Sequence, residues 1–481
     1  MSSLFSRGFD KKPNRYFKSQ TSTEEYTEPS IEYLKSQDTS PKTITLDPQQ
    51  DAIVHSEAKN IIVVAGAGSG KTRVLTERIR HLINDLNVPA HNIVSITFTN
   101  MAAEEMKMRL SDINTIGDAF IGTIHSFANR IMKESGEKYI LFNDELDIAL
   151  HRELIQKYCE NLTIERYLEY KDLSALVAIG KADENALRDF FTPSENSDYG
   201  MLHYPADVVY EDIKNGTHYT YGESIKTLCK KRGIITFDEL LIKARAYFEK
   251  IQARLEYVFV DELQDVGTLE YNFIKSLNAE NYFFVGDDYQ SIYSFKGGNV
   301  SIFKGLVNDP NFTPYYLTNN YRNGTEILLL ADHVIRQVDS RIEKDITPVS
   351  TEKGQYSVMP KRNILSVLSN LKYHIKDYTE YFLLVRTNKE LFEMTDRCAE
   401  IGLPYVTFKR EGMTLADLNK KMKQNAIKIL TVHTSKGLEV DNVILYGNFP
   451  VDVPYYRKND EERKVMYVGI TRARKSIVIL N

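Results

Sequence analysis

Hydrophobic and polar positions along this chain alternate between two kinds of segment. Short apolar runs recur at 61–65, 93–98, 120–122, 257–260 and 282–285, each of strand length and rich in β-branched or aromatic residues. After the first of them, Leu75, Ile79, Leu82, Ile83 and Leu86 recur at helical spacing, and further helices are predicted at 101–110 and from His125 onward. Continuous apolar runs of this length suit strands buried on both faces, and the amphipathic helices between them supply the cover. The pattern predicts an α/β fold with a parallel sheet, whose ligands lie at the carboxyl ends of the strands. Between 138 and 233 the alternation gives way to segments rich in Glu, Lys and Tyr, read as a helical insertion. Beyond Gly305 a second alternating region follows, with strands predicted at 315–317, 381–385, 427–432, 442–446 and 476–480. Its helices are predicted at 325–338, 389–401 and 461–474.

The expected organisation is therefore an N-terminal tail (1–43), a first core (44–137 with 234–304), the insertion (138–233) and a second core (305–481). The tail is rich in Ser, Thr, Lys, Glu and Pro without a sustained period, and reads as a loosely attached segment. Its isolated aromatics Phe9, Tyr16 and Phe17 offer a place for a protein partner to dock, against the plainer reading of a solvated tail.

Candidate chemistry concentrates at strand ends. The stretch NIIVVAGAGSGKTR (60–73) runs from an apolar strand into a glycine-rich turn and then a helix. Glycines let successive backbone N–H groups curl around a phosphate, and the following helix adds its positive end. The cradle is Ala65, Gly66, Ala67, Gly68, Ser69 and Gly70, a variant phosphate loop because Ala65 stands where the strict pattern has Gly. Lys71 is placed for the β- and γ-phosphates of ATP and Thr72 for Mg²⁺. The strand at 257–260 ends in Asp261 and Glu262, a pair suited to holding the metal and preparing the attacking water.

A further strand runs into GDDYQSIYSFKGG, where Gln290 is placed to sense a γ-phosphate. Tyr293 and Phe295 follow at period two, so the rings are either a base-stacking pair or core filling. The second core has no phosphate loop of its own but carries Asn320-Tyr321-Arg322 and Thr471-Arg472-Ala473-Arg474, arginines suited to act as fingers on a nucleotide held by the first.

Composition narrows the class. The chain has 481 residues and a net charge of −5, so any nucleic-acid site must be a local groove and not a bulk basic surface. Three widely spaced cysteines form no metal-binding pair and suit a reducing, cytoplasmic setting. No apolar run approaches the length of a membrane span.

The segments AGAGSGKTR, ITFTNMAAEEM, IGTIHSFA, VFVDELQD, VGDDYQSIYSFKGG, NNYRN, LLVRTN, ILTVHTSKGLE and EERKVMYVGITRAR occur in the order found in superfamily 1 helicases of the UvrD, Rep and PcrA type. The chain resembles that family from Leu46 to its end, the insertion excepted. The resemblance implies two RecA-like cores, and an ATP-driven motor moving 3′ to 5′ on single-stranded DNA and at junctions with duplex. It implies that Gln50, with Arg73 and Tyr321 stacked together, holds adenine, and that Glu439 meets the ribose. Lys71 and Thr72 would take phosphate and Mg²⁺, Asp261 and Glu262 the metal and water, Gln290 the coupling role, and Arg322 and Arg472 the γ-phosphate.

On the polymer side the matching residues are Phe98, Thr99, Asn100, His125, Tyr293, Phe295, Thr431, His433 and Lys436. Phe295 and Lys296 stand where relatives carry Trp and Arg, which predicts weaker stacking. Only 407–427 is left for the second accessory domain of larger relatives, so the chain resembles a compact, monomeric member. The open functional readings are a duplex-separating helicase, a translocase that strips proteins from single strands, and an ATP-switched scaffold in a replication or recombination complex. RNA as the track stays open.

Overall fold

The computed structural model describes residues 45–143, 146, 150, 228–294, 297–408, 414–450 and 460–481. The expected tail, most of the expected insertion, Cys159, Phe295 and Lys296 lie outside the described residues. Two compact units are present, one built from residues before 125 and after 252, the other from 125–252. The second unit is broader than the insertion expected at 138–233. Its described part includes helices Ile124–Ser135 and Phe237–Ile251, and the short strands Ile140–Leu141 and Ile234–Ile235 paired in parallel.

The larger unit holds two six-stranded sheets, and every strand pair recorded within them is parallel. The first comprises β1 (Asn60–Ala65), β2 (Ile93–Thr97), β3 (Phe120–Thr123), β4 (Tyr257–Val260), β5 (Asn281–Gly286) and β6 (Thr313–Leu317). Their order is β3-β2-β4-β5-β1-β6. The second comprises β7 (Gln355–Met359), β8 (Tyr381–Val385), β9 (Tyr405–Thr407), β10 (Ile427–Thr431), β11 (Val440–Tyr446) and β12 (Ala473–Leu480), in the order β7-β12-β11-β8-β10-β9.

Helices α1 (Pro48–Val54), α2 (Lys71–Asn84) and α3 (Asn100–Arg109) belong to the first sheet's half. α4 (Thr325–Ile335), α5 (Asn388–Ile401), α6 (Leu415–Met422) and α7 (Asp460–Ile470) follow in the second. Local sequence sets several starts. Asp47 and Thr387 form capping boxes with Gln50 and Glu390, and Thr99 accepts from Ala102 N at 3.1 Å. Ile61, Ile62, Val63 and Val64 of β1 are buried, each contributing roughly 1.5–3 kcal/mol.

Two expectations are corrected. The strand expected at 315–317 in the second core is β6, which pairs with β1 in the first sheet (Ala65 opposite Leu317). It is an edge strand, largely exposed apart from Leu317, and an apolar run does not name its partner. The helix expected over 461–474 ends at Ile470, after which Thr471 and Arg472 turn the chain into β12. The β-branched run Ile477-Val478-Ile479 belongs to a strand, and Thr471 Oγ1 donates to Val468 O (3.1 Å) at the turn. β7, β9 and the helix Ile364–His374 were not anticipated.

One apolar cluster continues from Ala67, Tyr289, Ile292 and Tyr293 of the first half to Val432, Val465 and Tyr467 of the second. The Tyr289 and Tyr467 rings meet edge to face at 5.6 Å. This contact sets the carboxyl end of β5 against α7, and the cleft above it is where the candidate chemistry gathers.

Candidate nucleotide and nucleic-acid site

β1 runs into the phosphate loop. Gly68 and Gly70 take φ of +64° and +88°, values that favour glycine, and Gly70 leads directly into α2. A Cβ on Gly68 would lie 2.7 Å from Arg322 Cβ. The loop's carbonyls are engaged from outside: Ala67 O by Asn320 Nδ2 (2.7 Å), Gly68 O by Tyr321 N (3.0 Å) and Ser69 O by Gln50 Nε2 (3.2 Å). With its carbonyls so held, the loop offers an anion its N–H groups and the start of α2. Gln50 is buried and its amide braces the loop, a structural use beside the adenine contact implied by resemblance.

Around the loop lies a cavity of about 550 Å³. Its walls include Gly66, Lys71, Thr72, Arg73, Asp261, Glu262, Gln290 and Tyr321. From the second half come Lys436, Glu439 and Arg472, while Arg322 stands on the connection between the sheets. Arg73 and Tyr321, the pair matched by resemblance to a base sandwich, both line this cavity, and the Tyr321 hydroxyl donates to Asp47.

The acidic pair is tightly wired. Glu262 sits in the left-handed region (φ +55°) at the end of β4. Its carboxylate accepts from Gln264 Nε2 and lies 3.2 Å from Lys436 Nζ, which also meets Asp265 and donates to Gln290 O (3.0 Å). Burial opposes ionisation of Glu262, but Lys436 and Lys71 override it and hold the group well below the usual carboxylate range. Burial, with Glu262 beside it, raises Asp261, and burial also raises Asp265 against the pull of Lys436. Burial disfavours the Lys436 ammonium, yet Asp265 and Glu262 raise it overall.

Gln290 spans the cleft. Its Nε2 donates to Asp287 Oδ2 (2.6 Å), and its Oε1 accepts from Arg472 Nη2 (3.1 Å). Arg472 is buried, bonded also to Val468 O (3.0 Å) and Leu438 O (3.1 Å), and burial lowers its pKa to about 9. Arg322 pairs with Glu439 and donates to Thr471 O (3.2 Å). Glu439 is held below the ordinary value by Arg322 and Arg474 against burial, so the residue matched to a ribose contact here anchors arginines.

On the rim, the Phe98 ring stacks on Tyr293 at 5.2 Å, with Phe98 partly exposed and Tyr293 buried. The Tyr293 hydroxyl donates to His433 O (3.0 Å), and Lys436 Nζ lies 5.4 Å from its ring centre. Tyr293 thus packs as core, and Phe98 offers the open face. Thr99 and Thr431 are N-caps, and Asn100 begins α3. His125 belongs to the 125–252 unit, where its ring meets Phe237 edge to face at 4.9 Å.

Thr72 and Asp261 both face the cavity, and one hydroxyl with one carboxylate suits a hard cation that keeps water and phosphate oxygens as its other ligands. Among the described residues no group of three or more His, Cys, Asp or Glu forms a closed metal site. Asp47, Asp265, Asp287 and Lys344 escaped the sequence reading. Asp265 and Asp287 lie inside quoted motifs, whereas Asp47 and Lys344 lie outside all of them.

No described helix is long and apolar enough to cross a membrane. Residues 46–311 match the family described as UvrD/REP helicase N-terminal domain, and 411–481 match the UvrD-like helicase C-terminal domain. A protein named probable DNA helicase from Mycoplasma pneumoniae is 28% identical over 473 residues, covering 91% of this chain and 83% of that one. ATP-dependent DNA helicase PcrA of Bacillus subtilis is 32% identical over 315 residues, covering 63% of this chain and 41% of the relative. The PcrA of Leuconostoc citreum is 29% identical over 384 residues, covering 74% and 49%. The chain thus spans half or less of the PcrA proteins it matches. With more than half of its length inside the N-terminal domain match and a C-terminal match following in order, the chain belongs to the UvrD/REP helicase family.

Proposed function

We propose that this protein is an ATP-dependent DNA helicase that moves 3′ to 5′ along single-stranded DNA and separates strands as it advances. One relationship carries the reading: a single cavity is walled by a phosphate loop on the first sheet and by Arg472, Lys436 and Glu439 from the second. A nucleotide bound there touches both halves, so hydrolysis is tied to their approach and separation.

In this reading Lys71 takes the β- and γ-phosphates, Arg73 and Tyr321 sandwich the base, and Glu262 orients the attacking water and accepts its proton. Arg322 and Arg472 meet charge developing on the transferred phosphoryl group, a contribution of roughly 10³ to 10⁵ in rate for such arginines. Thr72 and Asp261 would hold Mg²⁺, which neutralises phosphate charge when bound. Gln290, hydrogen-bonded to Arg472, passes the state of the γ-phosphate between the halves. Phe98 stacks a base of the strand, with Thr99, Asn100, Thr431 and His433 lining its path. His125 and Phe295 keep their proposed nucleic-acid roles on resemblance alone.

Two measurements test the proposal: ATP hydrolysis with and without single-stranded DNA, and strand displacement on 3′-tailed, 5′-tailed and RNA-containing duplexes. Stimulation by DNA and opening of the 3′-tailed duplex are expected; absence of stimulation overturns the motor reading. A second reading, a single-strand translocase with little strand separation, is favoured by the short stretch between β9 and β10, whose described part includes α6. Movement that displaces a bound protein without opening duplex would select it.

A further inference from the structure

Lys344 lies between α4 and the two-residue strand Thr347–Pro348, in the sequence RIEKDIT, outside every motif described above. Its side chain is fully buried. Nζ lies 2.6 Å from Asp287 Oδ1, 2.9 Å from Asp288 Oδ1 and 2.9 Å from the carbonyl of Ala65, the last residue of β1. It also sits 4.0 Å from the centre of the Tyr289 ring. A buried ammonium is costly unless acceptors surround it, so this placement needs a reason beyond filling space.

The reason lies in how Asp287 divides its two oxygens. Oδ1 faces Lys344 and accepts from Tyr289 N at 3.1 Å. Oδ2 accepts from Gln290 Nε2 at 2.6 Å and lies 3.9 Å from Lys71 Nζ. The backbone N–H of Asp287 donates to Gln264 Oε1 (2.9 Å), which ties the same residue to the neighbour of Glu262. One carboxylate therefore touches the lysine matched to phosphate binding and the glutamine that reaches Arg472.

We propose that Lys344 is a positioning residue for nucleotide binding: by holding one oxygen of Asp287, it keeps that carboxylate from capturing Lys71 and fixes the acceptor that orients Gln290. The proposal rests on the reading of Lys71 as the phosphate lysine. When nucleotide arrives, Lys71 must leave the neighbourhood of Asp287 for the phosphates. With Lys344 in place, Asp287 keeps a cation after Lys71 departs. Without it, Asp287 and Asp288, both fully buried, draw Lys71 into an ion pair that competes with the phosphates. The influence of Lys344 on affinity then passes through Asp287, and removing Asp287 removes it.

Equilibrium titration of the full chain with a fluorescent N-methylanthraniloyl ATP and Mg²⁺ tests this with three variants. Lys344→Met is expected to weaken binding by about tenfold or more, the scale of one lost charge pairing at a buried site. Asp287→Asn is expected to bind at least as tightly as the parent, because Lys71 loses its competitor. The double variant is expected to bind like Asp287→Asn, within about threefold. A role confined to holding the fold would instead weaken binding equally in both backgrounds. Parent-like affinity in Lys344→Met, or a double variant that follows Lys344→Met, overturns the proposal. Should Lys344→Met fail to fold by circular dichroism, the charge-balanced double variant against Asp287→Asn decides in the same way. Failure of the parent protein to bind ATP would sink the role given to Lys71, a result distinct from either of these.

Discussion

Lys436 reaches from the turn after β10 to within 3.2 Å of the Glu262 carboxylate at the end of β4, so a cation of one half holds the proposed water-activating group of the other. The same Nζ pairs with Asp265 and donates to Gln290 O. Any movement that separates the halves must break these bonds, and any movement that closes them restores the charge that keeps Glu262 ionised.

Removing that cation is expected to impair chemistry more than binding. In Lys436→Met, Glu262 and Asp265 share a buried site with Asp261 and lose their common partner, so the base loses both charge and aim. Turnover in the presence of single-stranded DNA should fall by about 10² or more, the usual worth of a positioned base. ATP affinity should change far less, because the phosphate loop is untouched. Steady-state ATPase kinetics beside equilibrium nucleotide binding separates the two. Equal losses in both would argue that Lys436 acts on the nucleotide itself.

Arg472 shows why a conservative change is expected to fail. Its guanidinium is spread over Val468 O, Leu438 O and Gln290 Oε1 at 3.0–3.1 Å, a fork that a single ammonium cannot reproduce. Arg472→Lys should therefore lose nearly as much DNA-stimulated turnover as Arg472→Ala, about 10³ for an arginine finger. Turnover within about tenfold of the parent in the lysine variant would show that charge alone suffices.

Much of this was legible in the sequence because the physics is local. A buried parallel strand followed by glycines, Lys71 and Thr72 has few other uses, and β1, β4 and β8 appear within a residue of where apolar runs end. What stayed hidden depends on partners far along the chain. β6 reads as a strand, yet nothing in Tyr315-Tyr316-Leu317 says that it lies beside β1. Tyr293 reads as either a stacking ring or core filling, and the burial and the bond to His433 O that decide for core come from the second half folding against the first. Lys344 stands in no motif, because the carboxylates that hold it lie more than fifty residues upstream.

Among the described residues Phe98 offers an open aromatic face on this rim, and its loss should be felt in strand affinity. Phe98→Ala removes a stacking platform worth about 1–3 kcal/mol per base, so affinity for single-stranded DNA should fall by about 5- to 150-fold. A stacking loss is not a charge loss, so the slope of affinity against salt should stay that of the parent. Fluorescence anisotropy across a salt series reads both quantities. A changed slope with little loss at low salt would move the strand away from this ring.

Lys428 allows a prediction about stability and pH. It is buried within β10, where Nζ donates to the carbonyls of Thr379 (2.7 Å), Gln424 (3.0 Å) and Tyr378 (3.4 Å). Lys428→Met leaves these acceptors without that donor and should cost about 1–3 kcal/mol, read as a lower unfolding temperature at neutral pH. Burial pushes the Lys428 ammonium down to about 8 from 10.5. Because the folded value lies below the unfolded one, the unfolded chain binds more protons between those two pH values, and stability rises with pH across that window. Parent and variant should therefore differ more at pH 10 than at pH 8. A gap that narrows with rising pH would mean that the three carbonyls hold the ammonium more strongly than burial opposes it.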